Sequence, residues 1–297
     1  MKSLKISFFI LLAVSMLISL PVSASETSNH LLNNSEIQRL KSFGFTEEEL
    51  LTYTHADYNA FNQAVGDDVY GEVVNETTTY YKVTKQETIP VDENEAVAGA
   101  NQANLNKTLG LGDFRIQALP SDSTDSGWLK MTLSVSKVLD SSGNWHGVYK
   151  LKNSWKWLSF PTFKLHDVVG ITFNPNLTYI QDSEFAQYRY RDGSVGHTWA
   201  SKTYNKAPHK SASAGIAFEI DMQLYGADGG STDQHEGYMM INVKRNSSSA
   251  TSTNAYGHYA HIAINASYSV SITTGSISVS GVAKKYYAND TAVSWSI

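Results

Sequence analysis

Between residues 111 and 297 apolar and polar side chains alternate with period two, run after run, and this restricts the fold more than any other feature of the chain. Successive side chains of a strand point to opposite faces, so each such run reads as a strand with one buried side. Leu129, Met131, Leu133 and Val135 alternate with Lys130, Thr132, Ser134 and Ser136. Ile216, Phe218, Ile220, Met222 and Leu224 alternate with Ala217, Glu219, Asp221, Gln223 and Tyr225. Met239, Ile241 and Val243 do so with Tyr238, Met240 and Asn242, and Ile262 to Ile272 oppose Ala263, Asn265, Ser267, Ser269 and Ser271. Ser142-Gly143-Asn144, Asp192-Gly193, Gly229-Gly230 and Thr274-Gly275 are turn signals between runs. No helical period is long enough to cover a parallel sheet. The fold expected for 111–297 is therefore mainly β, an antiparallel β-sandwich.

The preceding residues differ in charge and pattern. Residues 25–110 carry 14 acidic against 5 basic side chains, whereas 111–297 carry 14 against 16. Thr46-Glu47-Glu48-Glu49 is a capping box before Leu50 and Leu51, Thr54 with Asp57 is a second cap, and Ser35 can cap Ile37 to Lys41. These signals predict a small helical segment over 25–65, with Ile37, Leu40, Phe43, Phe45, Leu50, Leu51 and Phe61 forming one apolar cluster. Over 66–110 the sequence predicts an acidic linker with a strand at Tyr80–Thr84, because Val91 to Lys107 is rich in Ala, Asn and Gln and lacks aromatic residues. The acidic unit is either a pro-segment masking the sandwich or a fixed arm.

Residues 1–24 have the three parts of a cleavable signal peptide: Lys2 and Lys5, the apolar run Ile6 to Leu20, and Val22-Ser23-Ala24 after Pro21. A transmembrane anchor would need roughly 20 apolar residues, and no later segment has that length. The expectation is a secreted, extracellular protein without a permanent transmembrane span. The chain has no cysteine, which excludes thiol nucleophiles, Cys-ligated zinc and disulfides. Disulfide-free export suits a Gram-positive host. With an acidic balance and no basic cluster beyond Lys284-Lys285, nucleic acid is not an expected partner.

The stretches Leu40-Lys41-Ser42-Phe43-Gly44-Phe45-Thr46-Glu47-Glu48-Glu49 and Asn254-Ala255-Tyr256-Gly257-His258-Tyr259-Ala260-His261, together with the leader, resemble secreted, uncharacterised proteins of Bacillus-type Gram-positive bacteria. The resemblance implies a host and a compartment. It transfers no catalytic residue.

The chain lacks a P-loop, a GxSxG elbow, HExxH and a dinucleotide fingerprint, so no catalytic residue is assigned and no cofactor is expected. Three constellations remain. If the three runs around residues 220, 240 and 260 are neighbours, with Ile220 opposite Ile241 and Met239 near Ala260, one polar face carries Glu219, Asp221, Tyr238, Asn242, Tyr259 and His261. Carboxylate, amide, phenol and imidazole together would suit a glycan or a cell-surface partner, and this binding module is the favoured function. A secreted hydrolase using Glu219 or Asp221 with His261 is an alternative. Second, His235, His258 and His261 invite a metal reading, but residues three apart on a strand face opposite ways, so His258 reads as a hydrogen-bonded core histidine. The loop Asp228 to Asp233 offers oxygens to calcium without the full EF-hand pattern. Third, Ser267 to Val282 alternates apolar residues with serine around Thr273-Thr274-Gly275, as the membrane hairpin of a β-pore-forming or membrane-active toxin would. The six tryptophans form no ladder.

Overall fold

The computed structural model describes residues 31–84, 87–108, 127–159, 161, 166–191, 198–225, 232–262, 267–282 and 285–297; the leader and Asp228 lie outside the described residues. Three short helices, α1 (Asn34–Ser42), α2 (Glu47–Leu50) and α3 (His55–Val65), lead into β1 (Tyr70–Val83), β2 (Thr88–Val91) and α4 (Glu93–Thr108). The strands β3 (Gly127–Leu139), β4 (Trp145–Trp157), β5 (His166–Phe173), β6 (Leu177–Tyr179), β7 (Phe185–Arg191) and β8 (Ala200–Tyr204) follow. Then come β9 (His209–Ser211), β10 (Gly215–Asp221), β11 (Gln234–Arg245), β12 (Ser252–Ile262), β13 (Ser269–Thr273), β14 (Ser276–Ser280) and β15 (Lys285–Ser296). The mainly β class, antiparallel sheets and N-terminal helical segment match the sequence expectation.

Two sheets hold all the described strands except β13 and β14. One runs β2-β1-β3-β4-β11-β7-β8 with β6 attached to β11; the other runs β15-β12-β5-β10-β9. Their inner faces enclose Leu129, Met131, Leu133, Leu151, Ile171, Phe218 and Ile241, all without solvent exposure. The alternation therefore assigns the buried side of β3, β10 and β11 correctly. Asn153 of β4 is a buried polar bridge across this core: its Nδ2 donates to the carbonyls of Gly170 (3.0 Å) on β5 and His258 (3.2 Å) on β12. Gly257 makes room for it, since a Cβ there would sit 2.7 Å from the Asn153 Oδ1.

The N-terminal helices lie on the outer face of the larger sheet. Thr46 and Thr54 cap α2 and α3 through reciprocal bonds with Glu49 and Asp57, as the sequence predicts, while α1 is capped by Asn33 with Glu36 rather than by Ser35. Leu40, Phe43, Phe45, Tyr53 and Phe61 pack on Phe185, Tyr238 and Met240; Leu51 points away and is 77% exposed. The polar side of β3 and β4 is thus buried rather than solvated. Lys152 reaches Glu49 (3.0 Å) and the Gly44 carbonyl (2.8 Å), and Glu48 joins Lys130 (2.6 Å) to Lys156 (2.7 Å). Burial raises the Glu48 pKa, but hydrogen bonds from these two lysines outweigh it and hold the carboxyl down at about 2.

Residues 66–110 depart from the expected linker. The strand there is β1, which pairs with β3 along its length, so this part of the acidic unit is woven into the sandwich. Glu93–Thr108 forms α4, whose small residues Ala96 and Ala100 pack on the Trp128 ring. An Asp92 side chain accepting from the Glu95 amide at 2.9 Å starts it.

Candidate functional site

The structure distributes the six predicted site residues over separate places. β10 pairs with β5 and β9, β11 with β4, β6 and β7, and β12 with β15 and β5, so the three runs are not neighbours. Apolar phase fixes which side of a strand is buried but not which strand lies beside it. Glu219 sits near the edge of the smaller sheet, 2.7 Å from His209 Nε2. Asp221 ends β10 beside Lys202 (3.4 Å) and His166 (3.8 Å). Tyr238 is buried under the N-terminal helices, with its ring 4.9 Å from that of Phe45. Asn242 lies opposite Lys150 in the β11–β4 ladder, and its backbone amide donates to Ser183 Oγ (2.9 Å) while its carbonyl accepts from Ile180 and Ser183. The glycan face and the Glu219/His261 hydrolase pairing are therefore not built.

Tyr259 and His261 point into the core, contrary to the expected outward side. The Trp157 indole donates to the Tyr259 hydroxyl (2.8 Å), which donates to Asp167, and His261 Nδ1 lies 2.7 Å from the same carboxylate. Burial, reinforced by Asp167, raises the Tyr259 pKa well above its ordinary value. His258 faces the other way, between Thr172 Oγ1 (2.7 Å) and Asp290. It is hydrogen-bonded, but on the outer face. His235 is 2.6 Å from the Tyr188 hydroxyl. Among the described residues no three His, Cys, Asp or Glu side chains gather around a metal position. Asp233, the described carboxylate of the calcium loop, donates its amide to the Arg191 carbonyl.

β12 presents its other phase outward because a second layer covers it. β13 and β14 form an antiparallel hairpin with Val270 opposite Val279 and Ile272 opposite Ile277. Gly275 provides the left-handed residue of its turn, at φ 74°. Ile277 and Val279 are buried on Val168, Ala217, Ala260 and Ile262 of the smaller sheet. Ser269, Ser271, Ser276, Ser278 and Ser280 are exposed. The sequence pattern of this hairpin is thus realised as an apolar underside and a hydroxyl upper side.

The hairpin's polar ties are few. Val279 donates to the Tyr287 hydroxyl (2.6 Å), which donates back to the Val279 carbonyl (2.9 Å), and Lys285 Nζ reaches that carbonyl too. The Ile277 side chain occupies a socket over Gly170, where any Cβ would overlap its Cδ1. A cleft of about 610 Å³ opens alongside, between β14 and the His258, Lys285 and Asp290 side chains. Sequence reasoning marked the hairpin but missed Gly170 and Tyr287, which lie remote from it in β5 or beyond it in β15.

The strands on either side of the hairpin are themselves partners. β12 and β15 pair antiparallel up to Ile262 opposite Lys285. Six residues (263–268) then lead into β13 and four (281–284) lead out of β14. The chain thus leaves one ladder, makes the hairpin and returns to the same ladder.

No protein-family model matches the chain, and no curated protein matches it. Among solved structures, one described as "Pore forming protein" superposes with a TM-score of 0.29 at 9% identity, covering 60% of this chain and 95% of that one. Another, "Complete structure of manganese lipoxygenase of Gaeumannomyces graminis and partial structure of zonadhesin of Komagataella pastoris", gives 0.21 at 9% identity, covering 76% and 91%. Both superpositions are too loose to define a shared fold. Among the described residues no helix is long and apolar enough to cross a membrane, which leaves strands untouched as a means of crossing.

Proposed function

We propose that this protein is a secreted membrane-active protein whose β13–β14 hairpin leaves the sandwich and enters a lipid bilayer as the continuation of β12 and β15. The observation that carries this reading is the pairing of β12 with β15 on either side of the hairpin. Once the hairpin lifts, both strands can run on in one antiparallel ladder, with a two-residue difference taken up as a bulge. In sequence, Ile262, Ile264, Ala266, Tyr268, Val270 and Ile272 keep one phase over eleven residues, matching the roughly 9–11 residues of a membrane strand. The opposite phase supplies Asn265, Ser267, Ser269 and Ser271 to the wet side. An isolated hairpin would leave its edges unpaired in lipid, so several copies would have to close a barrel.

The hairpin is held by a narrow contact. Ile277 and Val279 are its two buried aliphatic side chains, worth about 1.5–3 kcal/mol each at full burial; Tyr268, Val270 and Ile272 pack beside them only in part, and hydrogen bonds tie Val279 to Tyr287 and Lys285 and Tyr268 to Glu219.

The test is a reversible lock. In this cysteine-free chain, Gly170→Cys with Ile277→Cys joins socket and hairpin. Dye release from anionic and zwitterionic liposomes should be absent for the oxidised protein and return on reduction. Gly170→Ala, which evicts Ile277 without a crosslink, should release dye faster than the parent. Equal release from oxidised and reduced forms, or no release by any variant from either lipid, sinks the proposal.

A further inference from the structure

We propose that a cleft at the end of the sandwich, between α4 and the adjoining ends of β4, β7 and β11, binds a neutral oligosaccharide. This goes beyond the membrane reading and does not depend on it. The cleft has a volume of about 710 Å³, within the range of small-ligand sites. α4 forms one wall through Asn101 and Asn104; Trp157, Trp199 and Gln234 line the rest. It lies on none of the residues that the sequence placed in a glycan face.

Charged side chains around it are engaged by other groups of the protein. Glu48 is held by Lys156 (2.7 Å), and Glu236 by the adjacent Arg189 (2.5 Å). The Arg191 guanidinium rests 4.8 Å from the Trp199 ring and donates through Nε to Gln234 Oε1 (2.6 Å). An ionic ligand would have to break one of these arrangements, whereas a neutral one need not.

Hydrogen-bonding capacity remains open. The Trp199 indole nitrogen is buried without a partner, a state that costs free energy unless a ligand or water accepts its proton. Asn101 stands exposed on the α4 wall, and its amide can both donate and accept. Sugar hydroxyls do both as well, so a ring or two of a neutral glycan can satisfy the indole and the amide together. A peptide strand has less to gain. β4, β7 and β11 already have partners on both sides, which leaves no open ladder at the cleft for strand addition.

Isothermal titration calorimetry of the full chain with chitotriose, cellotriose and maltotriose tests the site, with the peptide Gly-Ser-Gly as comparison. At least one trisaccharide should bind saturably and the peptide should not. Trp199→Phe, which keeps a ring but deletes the N–H, and Asn101→Ala, on an exposed helical position, should each weaken binding about tenfold or more. The Gly170→Cys/Ile277→Cys lock should leave binding unchanged, which separates this site from the hairpin. If Trp199→Phe fails to fold, Asn101→Ala carries the test alone. No saturable heat with any of the three sugars up to about 10 mM, equal binding by the folded variants, or preference for the peptide overturns the inference.

Discussion

The two sheets are both covered on their outer faces, but by layers of opposite character. The N-terminal helices cover the larger sheet with interlocking rings, Phe45 lying 5.6 Å from Phe61 and 4.9 Å from Tyr238. Beneath them Arg189 is fully buried between the Tyr53 and Trp199 rings and pairs with Asp57 and Glu236. The hairpin covers the smaller sheet with a narrow aliphatic strip and a single clasped residue, Val279. Removing one partner from a buried ion pair strands a charge; sliding an aliphatic strip off a sheet strands nothing. The difference separates a layer that the fold cannot lose from one that it can spare.

The largest expected effect tests that contrast directly. Phe61→Ala should destabilise the protein by about 3–5 kcal/mol, read from urea midpoints. Ile277→Ala should barely move the global midpoint while it increases protease cutting within 267–282. Similar losses of global stability from both would erase the distinction between the layers.

Next comes the charge buried under the helices. Lys150 lies below the Phe43 ring, 4% exposed, and desolvation lowers its pKa from 10.5 to about 8. Between these values the unfolded chain holds a proton that the folded one has released, so stability rises with pH across this window. The gain should approach about 3 kcal/mol. Lys150→Met should be the more stable form at pH 7 and should lack the rise. Parallel pH curves for the two proteins would contradict this account.

The smallest effect belongs to the clasp. Tyr287→Phe deletes both hydroxyl contacts to Val279 and should raise hairpin opening about fivefold, for a loss of about 1 kcal/mol. Hydrogen exchange at the Val279 amide measures it, and unchanged protection would assign the docking to apolar contact alone.

The legible parts of this fold are those governed by local rules. Thr46/Glu49 and Thr54/Asp57 announce helices because a cap needs only four residues. Period two sorts the faces of β3, β10 and β11. The same kind of signal stands at Asp92 and Glu95, the start of α4, but the helix beyond them is polar. It packs through alanines on one tryptophan, too small a stripe to register as periodicity. The candidate glycan face is not legible for a different reason: strand neighbours are chosen by contacts between residues far apart in sequence, such as Ala186 opposite Met239 or His261 opposite Asp167. Tyr259 and His261 face inward, against the sequence expectation, because the apolar phase of β12 faces a covering hairpin instead of the sandwich core. The cleft lined by Trp157, Trp199 and α4 draws on five separate segments, and no local pattern marks such a meeting.

Asn153 has a consequence for how the two sheets are aligned. Aliphatic faces tolerate sliding, since one branched side chain fits nearly as well as the next. A buried amide that must find two particular carbonyls does not. It acts as a key that fixes the offset of one sheet on the other, and one of its two acceptors belongs to Gly170, the residue that also seats Ile277. The surface from which the hairpin departs is therefore indexed to the sheet that carries the helices. The frame can keep its alignment whether the hairpin is seated or gone.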